Sequence, residues 1–428
     1  MNKSVMDQSI SAACGCDHDT AALEFDTARS RILDGVSAVT GQERVSLHTA
    51  LRRRLAVDVL SPHAVPGYDN SAMDGYALRA ADVSPGVSLP CVGASFAGHP
   101  YDRAVEAGEC VRIMTGAVLP KGADSVVMQE RVRVDAGNVI LQQKVTQGDH
   151  VRYAGEDLQA GAVALASGSY VGPAQLGMLA SLGLAEVVVR RRPRVVILST
   201  GDELCGLGQS LRSGMIYDSN RHTLFGLLQT CAVELIDMGI IPDDLELTHQ
   251  AFANAAEQAD MIITTAGVSV GDADYVKQVL DELGEVGFWK IAIKPGKPLA
   301  FGHIGDAVFF GLPGNPVSTM VSFYQFVRPA LLKMTGGQVN NSLRLQATLL
   351  QSITRSPGRV EFQRGILTED GNGCLQVVST GNQSSAVLSS MGKGNCFIVL
   401  PATSQGVDAG QTVLVEPFAG NLFATENT

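Results

Sequence analysis

The sequence predicts a multidomain α/β and β protein, and three patterns carry that expectation. Between residues 194 and 334, five apolar, β-branched runs alternate with helical patterns, which argues for a parallel sheet. After Gly336 the hydrophobic period changes to two, which suggests a small barrel or sandwich. From 67 to 159 the apolar runs are short and split by turn residues, with helical patterns on both sides. That arrangement reads as a small β domain inserted into a discontinuous one.

Residues 1–20 are polar and predict a disordered tail. Residues 21–66 form the first part of a discontinuous linker domain, with helices expected at 22–39 and 46–55. The inserted β domain, 67–159, has strands expected at 88–92, 110–113, 125–128, 131–134 and 139–142. The linker returns over 160–188, with a helix at 172–182. The parallel domain, 189–335, has strands expected at 194–199, 233–241, 261–265, 288–293 and 307–311. Its helices are expected at 221–231, 245–259, 274–283 and 316–334. The final domain, 336–428, has strands expected at 343–350, 360–367, 374–379, 396–400 and 412–416.

Composition narrows the function. A chain of 428 residues predicts two to four domains. Its formal net charge of −11 argues against nucleic acid as a partner. An anionic ligand then needs locally concentrated cations, and Lys290, Lys294 and Lys297 supply them. The start of the chain has no apolar leader pattern, and the most apolar stretch, 160–189, is cut by Gly, Ser, Pro and Glu. A cytoplasmic protein away from membranes is expected, with its eight cysteines as free thiols. Cys14, Cys16 and His18 form one short cluster without the second ligand pair of a zinc site.

A parallel sheet gathers its strand C-terminal ends on one edge, where ligands bind. Here every expected end carries Gly, Lys or a carboxylate. The loop after 261–265 holds Gly267, Ser269, Gly271, Asp272 and Asp274, a phosphate cradle with acids beside it. The other ends hold Asp202 and Glu203, Asp243, the Lys294-Pro295-Gly296-Lys297 loop, and Pro313-Gly314-Asn315-Pro316. Helix capping is the competing reading for Asp243 and Asp274, and simple solvated lysines the competing reading for Lys294 and Lys297.

The motifs Ser-Thr-Gly-Asp-Glu-Leu from Ser199, Ala-Gly-Val-Ser-Val-Gly-Asp-Ala-Asp-Tyr from Ala266, Ile-Lys-Pro-Gly-Lys-Pro from Ile293 and Gly-Leu-Pro-Gly-Asn-Pro-Val-Ser from Gly311 resemble the molybdopterin molybdenumtransferase (MoeA) family, related to the gephyrin E domain. So do Pro66 to Ala77, Arg112 to Ala117, Gly155-Glu156-Asp157 and Gly358 to Gly365. The resemblance implies a molybdopterin-binding parallel domain, a C-terminal β-barrel and a homodimer. It implies insertion of molybdate into adenylylated molybdopterin, with Mg²⁺-dependent release of AMP. It also implies transient contact with other proteins of molybdenum cofactor biosynthesis.

Carried onto this sequence, it implies that Glu203, Asp243 and Asp274 hold Mg²⁺ and act in catalysis. Asp74 and Thr115 join them from the neighbouring subunit, with Asp157 as a further contact. Ser269, Gly271, Lys290, Lys294, Lys297, Pro313, Pro316, Arg364 and Ser385 contact the substrates. Two departures stand out: Asn382, where the family often has His, and Ala266, where many members have Gly.

Overall fold

The computed structural model describes residues 22–265, 275–339 and 342–418. The expected tail with Cys14, Cys16 and His18 lies outside the described residues, as do Ala266, Ser269, Gly271 and Asp274. The chain divides into two compact units, Met1–Glu43 with Arg190–Thr428, and Arg44–Val189.

In the first unit a six-stranded sheet has the order Glu234–Ile241, Arg194–Thr200, Met261–Thr265, Ala307–Leu312, Pro298–Ile304, Gly284–Lys290. The first four strands are parallel. Pro298–Ile304 is antiparallel to both of its neighbours, which corrects the expectation of an all-parallel sheet. A two-residue turn, Gly305-Asp306, makes it a hairpin with Ala307–Leu312; Gly305 supplies the positive φ of 57° that such turns need. Gly284–Lys290 runs in the common direction, so Lys290 still ends on the edge shared by Thr200, Ile241, Thr265 and Leu312.

The central strands are buried on both faces. Val195 and Ile197 enter one core cluster, and Val196 and Leu198 the other. Leu245–Gln258 and Tyr275–Leu283 cover the second face, where Phe252 meets Phe309 edge-on at 5.8 Å. Ser219–Gln229 and a helical stretch from Pro316 to Met334, with a π turn at Phe323–Val327, cover the first. The helix Phe25–Asp34 also packs here, with Phe25 at 5.7 Å from Phe326 and 5.6 Å from Phe362. The expected 21–66 linker segment is therefore divided, because this apolar face finds its core in the first unit.

The C-terminal strands close into a five-stranded barrel in the order Val360–Glu369, Leu375–Ser379, Leu345–Leu349, Thr412–Pro417, Cys396–Leu400, which returns to Val360–Glu369. The short strand Ile293–Lys294 adds to Val360–Glu369 in parallel. That junction carries the sheet's edge to the barrel.

In the second unit a six-stranded sheet has the order Ser125–Met128, Gly75–Leu78, Cys110–Ile113, Ser88–Ser95, Asn138–Leu141, Val132–Asp135. The strand Gly75–Leu78 was not expected. A Cβ on Gly75 would lie 1.9 Å from the Val127 carbonyl oxygen, so glycine sets this close pairing. The expected helix at 46–55 is instead a strand, Gln42–Ser46, and one turn, Leu47–Ala50. Arg52 takes a φ of 66°, and the Arg52 and Leu55 N–H groups donate to Val171 and Ser169, which ends the helix. Among the described residues no helix is long and apolar enough to cross a membrane.

Candidate functional site

A cleft of about 710 Å³ opens where the 293–298 loop, the start of the Pro316 helix and the barrel meet. Lys294, Lys297 and Arg359 bring positive charge to it, and Asn315, Ser318, Gln383, Ser384 and Ser385 bring neutral polar groups. The walls are fixed by local hydrogen bonds. Ile291 N–H donates to the Lys297 carbonyl at 2.8 Å and closes the lysine loop. Gly296 has a φ of 105° and sits over Ser322, whose Oγ would lie 3.1 Å from an added Cβ. Thr319 Oγ1 donates to the Pro313 carbonyl at 2.6 Å, and Asn220 Nδ2 to the Gly314 carbonyl at 2.7 Å. Val317 N–H donates to the Ser385 carbonyl at 3.1 Å, tying the barrel loop to the helix.

Of the expected contacts, Lys294, Lys297, Pro313 and Ser385 line this cleft; Lys290 and Pro316 do not. Arg364, expected among the substrate contacts, does not line the cleft but sits directly behind its lining residue Ser384. It is 1% exposed. Its Nε donates to Ser390 Oγ at 3.0 Å, and one Nη donates to the Asn382 and Ser384 carbonyls at 3.3 and 3.1 Å. Burial pulls its pKa down to about 10, partly opposed by Glu361, so it remains charged at neutral pH. Arg364 thus holds the 382–385 loop, while Arg359 lines the cleft. No separate signal in the sequence marked Arg359, although it stands in the run Gly358 to Gly365, just before the strand Val360–Glu369. Asn382 gives its carbonyl to Arg364 and its side-chain oxygen to the Ser384 N–H, and it does not line the cleft.

Two acidic loops meet on the same sheet edge. Asp202 N–H donates to Asp243 Oδ2 at 3.2 Å, and Asp243 N–H donates to Asp202 Oδ1 at 3.1 Å. Glu203 folds back over Gly201, whose φ is 137°; an added Cβ there would lie 2.4 Å from Glu203 Oε2. The capping reading of Asp243 is wrong: Asp244 is the N-cap, accepting from Leu247 N–H. All three side chains are exposed, and all donors are hard carboxylate oxygens, which suits Mg²⁺ rather than a softer metal. Among the described residues no three His, Cys, Asp or Glu side chains converge as a complete metal site. Asp274, the expected third ligand, lies outside them.

In the second unit Asp74 and Thr115 are brought together across 41 residues of chain, with Thr115 N–H and Oγ1–H both donating to Asp74 Oδ1 at 2.8 Å. These two bonds, backbone first, lower the Asp74 pKa, and Arg112 adds to the effect. The bonds favour the carboxylate, so their contribution is present above the ordinary Asp pKa and is lost as pH falls through the lowered one. Asp157 is exposed, and its N–H donates to the Val65 carbonyl at 3.0 Å.

Three family models match in succession: the MoeA N-terminal region (domain I and II) over 23–183, a probable molybdopterin binding domain over 196–333, and the MoeA C-terminal region (domain IV) over 346–418. The molybdopterin molybdenumtransferase of Haemophilus influenzae is 45% identical over 92% of this chain and 98% of its own length. That of Bacillus subtilis is 33% identical over 87% of this chain and 89% of its own. The crystal structure of the molybdopterin biosynthesis moeA protein from Pyrococcus horikoshii superposes with a TM-score of 0.80 at 29% identity, covering 93% of this chain and 100% of that one.

Proposed function

The chain belongs to the molybdopterin molybdenumtransferase family, enzymes of molybdenum cofactor biosynthesis, and from that membership we propose that it inserts molybdate into adenylylated molybdopterin with release of AMP. The observation that carries this reading is the cleft, which sets Lys294, Lys297 and Arg359 beside Ser385 on the sheet edge that also bears the paired acidic loops. A tetrahedral dianion needs several convergent donors. Two lysines give compact charges, a guanidinium gives a two-pronged fork, and Ser385 gives one hydroxyl.

Mg²⁺, held by Glu203 and Asp243 with Asp274, would neutralise the phosphoanhydride oxygens. The Asp202–Asp243 pair fixes the relative position of two of the loops involved. In this reading 189–335 binds the pterin nucleotide, with Ser269, Gly271 and Lys290 among its contacts. The barrel, 336–428, supplies Arg359 and Ser385, and the 67–159 insert carries Asp74, Thr115 and Asp157 to the neighbouring copy of a homodimer. The six described cysteines are all free, which suits a reducing cytoplasm where the product passes to other proteins of cofactor biosynthesis.

The test is AMP release from adenylylated molybdopterin, which should depend on both molybdate and Mg²⁺. Release that ignores molybdate would reject the transferase reading. For the shared site, inactive Asp74→Ala and Asp243→Ala subunits are mixed under conditions of verified exchange. Partial recovery of activity is expected, and none would count against it.

A further inference from the structure

Behind Lys294 lies a carboxylate that belongs to neither acidic loop. Glu361 is 3% exposed and does not line the cleft. Its Oε1 lies 3.0 Å from Lys294 Nζ and also accepts from Gln363 Nε2 at 3.0 Å. Its Oε2 lies 3.4 Å from Nε of Arg355, whose side chain is 2% exposed. Arg355 in turn donates to the Leu400 and Pro401 carbonyls at 3.1 and 3.0 Å, and to the Arg359 carbonyl. The Glu361 carboxylate is therefore anchored in the barrel wall from two sides before Lys294 reaches it.

Backbone pairing completes the arrangement. Ile293–Lys294 pairs in parallel with Val360–Glu361, with Lys294 directly opposite Glu361, and Val360 N–H donates to the Ala292 carbonyl at 2.9 Å. Lys294 is 46% exposed along its side chain, so its four-carbon stem would otherwise sample many rotamers. We infer that Glu361 is a positioning residue, which holds the Lys294 ammonium at the cleft wall so that it meets an incoming tetrahedral oxyanion already in place. The inference rests on reading this cleft as the oxyanion site. An ordered lysine loses less freedom when the anion binds, and that gain appears in the anion requirement rather than in the chemical step.

The test is AMP release titrated with molybdate. Glu361→Gln keeps the size of the side chain and removes its charge; about tenfold more molybdate should be needed for half-saturation, with kcat unchanged. Because that change also leaves the buried Arg355 without its counter-charge, Glu361→Asp is the companion. It keeps the charge but draws the carboxylate back, and it should shift the requirement in the same direction. With Lys294 already replaced by Ala, adding Glu361→Gln should have less than about a twofold further effect. A merely structural role would lower thermal stability and kcat, leave the molybdate requirement alone, and add in full to Lys294→Ala. A folded Glu361→Gln or Glu361→Asp enzyme with an unmoved or lowered molybdate requirement overturns the inference. If Lys294→Ala and Lys297→Ala also leave the requirement unmoved, the oxyanion reading of the cleft itself falls.

Discussion

Asp243→Asn is expected to slow AMP release by roughly 10²–10³-fold, the scale at which a preorganised electrostatic group is lost from a transition state. The amide keeps the shape of the side chain, and its remaining oxygen can still accept the Asp202 N–H that the carboxylate accepts at 3.2 Å. What disappears is one negative charge on the edge that the proposed metal occupies, so excess Mg²⁺ should restore activity only in part. The neighbouring residue is the control. Asp244 caps the Leu245–Gln258 helix, and Asp244→Ala should cost about 1 kcal/mol of stability with turnover unchanged. Denaturant melts beside rate measurements separate the two. Wild-type turnover by Asp243→Asn at saturating Mg²⁺ would remove Asp243 from the metal site.

This contrast between adjacent aspartates marks what the sequence could carry. Most strand ends were legible because Gly, Pro and Asp cluster where apolar runs stop, but the strand expected at 288–293 is divided: the sheet strand ends at Lys290, and Ile293–Lys294 pairs with the barrel instead. The strand Pro298–Ile304 was not expected, and so neither was its antiparallel direction. Its two-residue turn offers only Gly305-Asp306 as a signal, and the apolar run on each side reads the same in either direction. The helix expected at 46–55 failed because helical periodicity is local, while the Arg52 and Leu55 N–H groups are taken by partners more than 100 residues away.

In the site, the lysine loop was legible from its two prolines and glycine. The roles of Arg359 and Arg364 were not. Val360–Glu369 is buried on both faces through most of its length, so alternation cannot tell which arginine faces the cleft. Only the closed barrel decides it, with Arg364 inside its hydrogen-bonded loop and Arg359 at the strand's open end. The pairing of Asp74 with Thr115 is a fact of tertiary structure in the same sense, since nothing local links the two turns.

Lys297→Ala is expected to raise the molybdate requirement on the order of thirtyfold, from losing roughly 2 kcal/mol of charged hydrogen bonding. The two lysines of the loop are not equivalent. Lys294 is paired with Glu361 at 3.0 Å, so part of its charge is already compensated. Among the described residues Lys297 has no ion-pair partner, and its backbone is pinned by the bond from Ile291 N–H at 2.8 Å. Its ammonium is therefore the more available charge, on a loop that keeps its place when the side chain is cut. Alanine removes the donor without moving the wall, so binding of the adenylylated pterin should change much less than the molybdate dependence. Direct binding of the pterin nucleotide, measured beside a molybdate titration, distinguishes the two. If Lys297→Ala weakens nucleotide binding and leaves the molybdate requirement where it was, the lysine serves the phosphate end of the substrate. The oxyanion would then rest on Lys294, with Arg359 and Ser385 from the barrel side of the cleft.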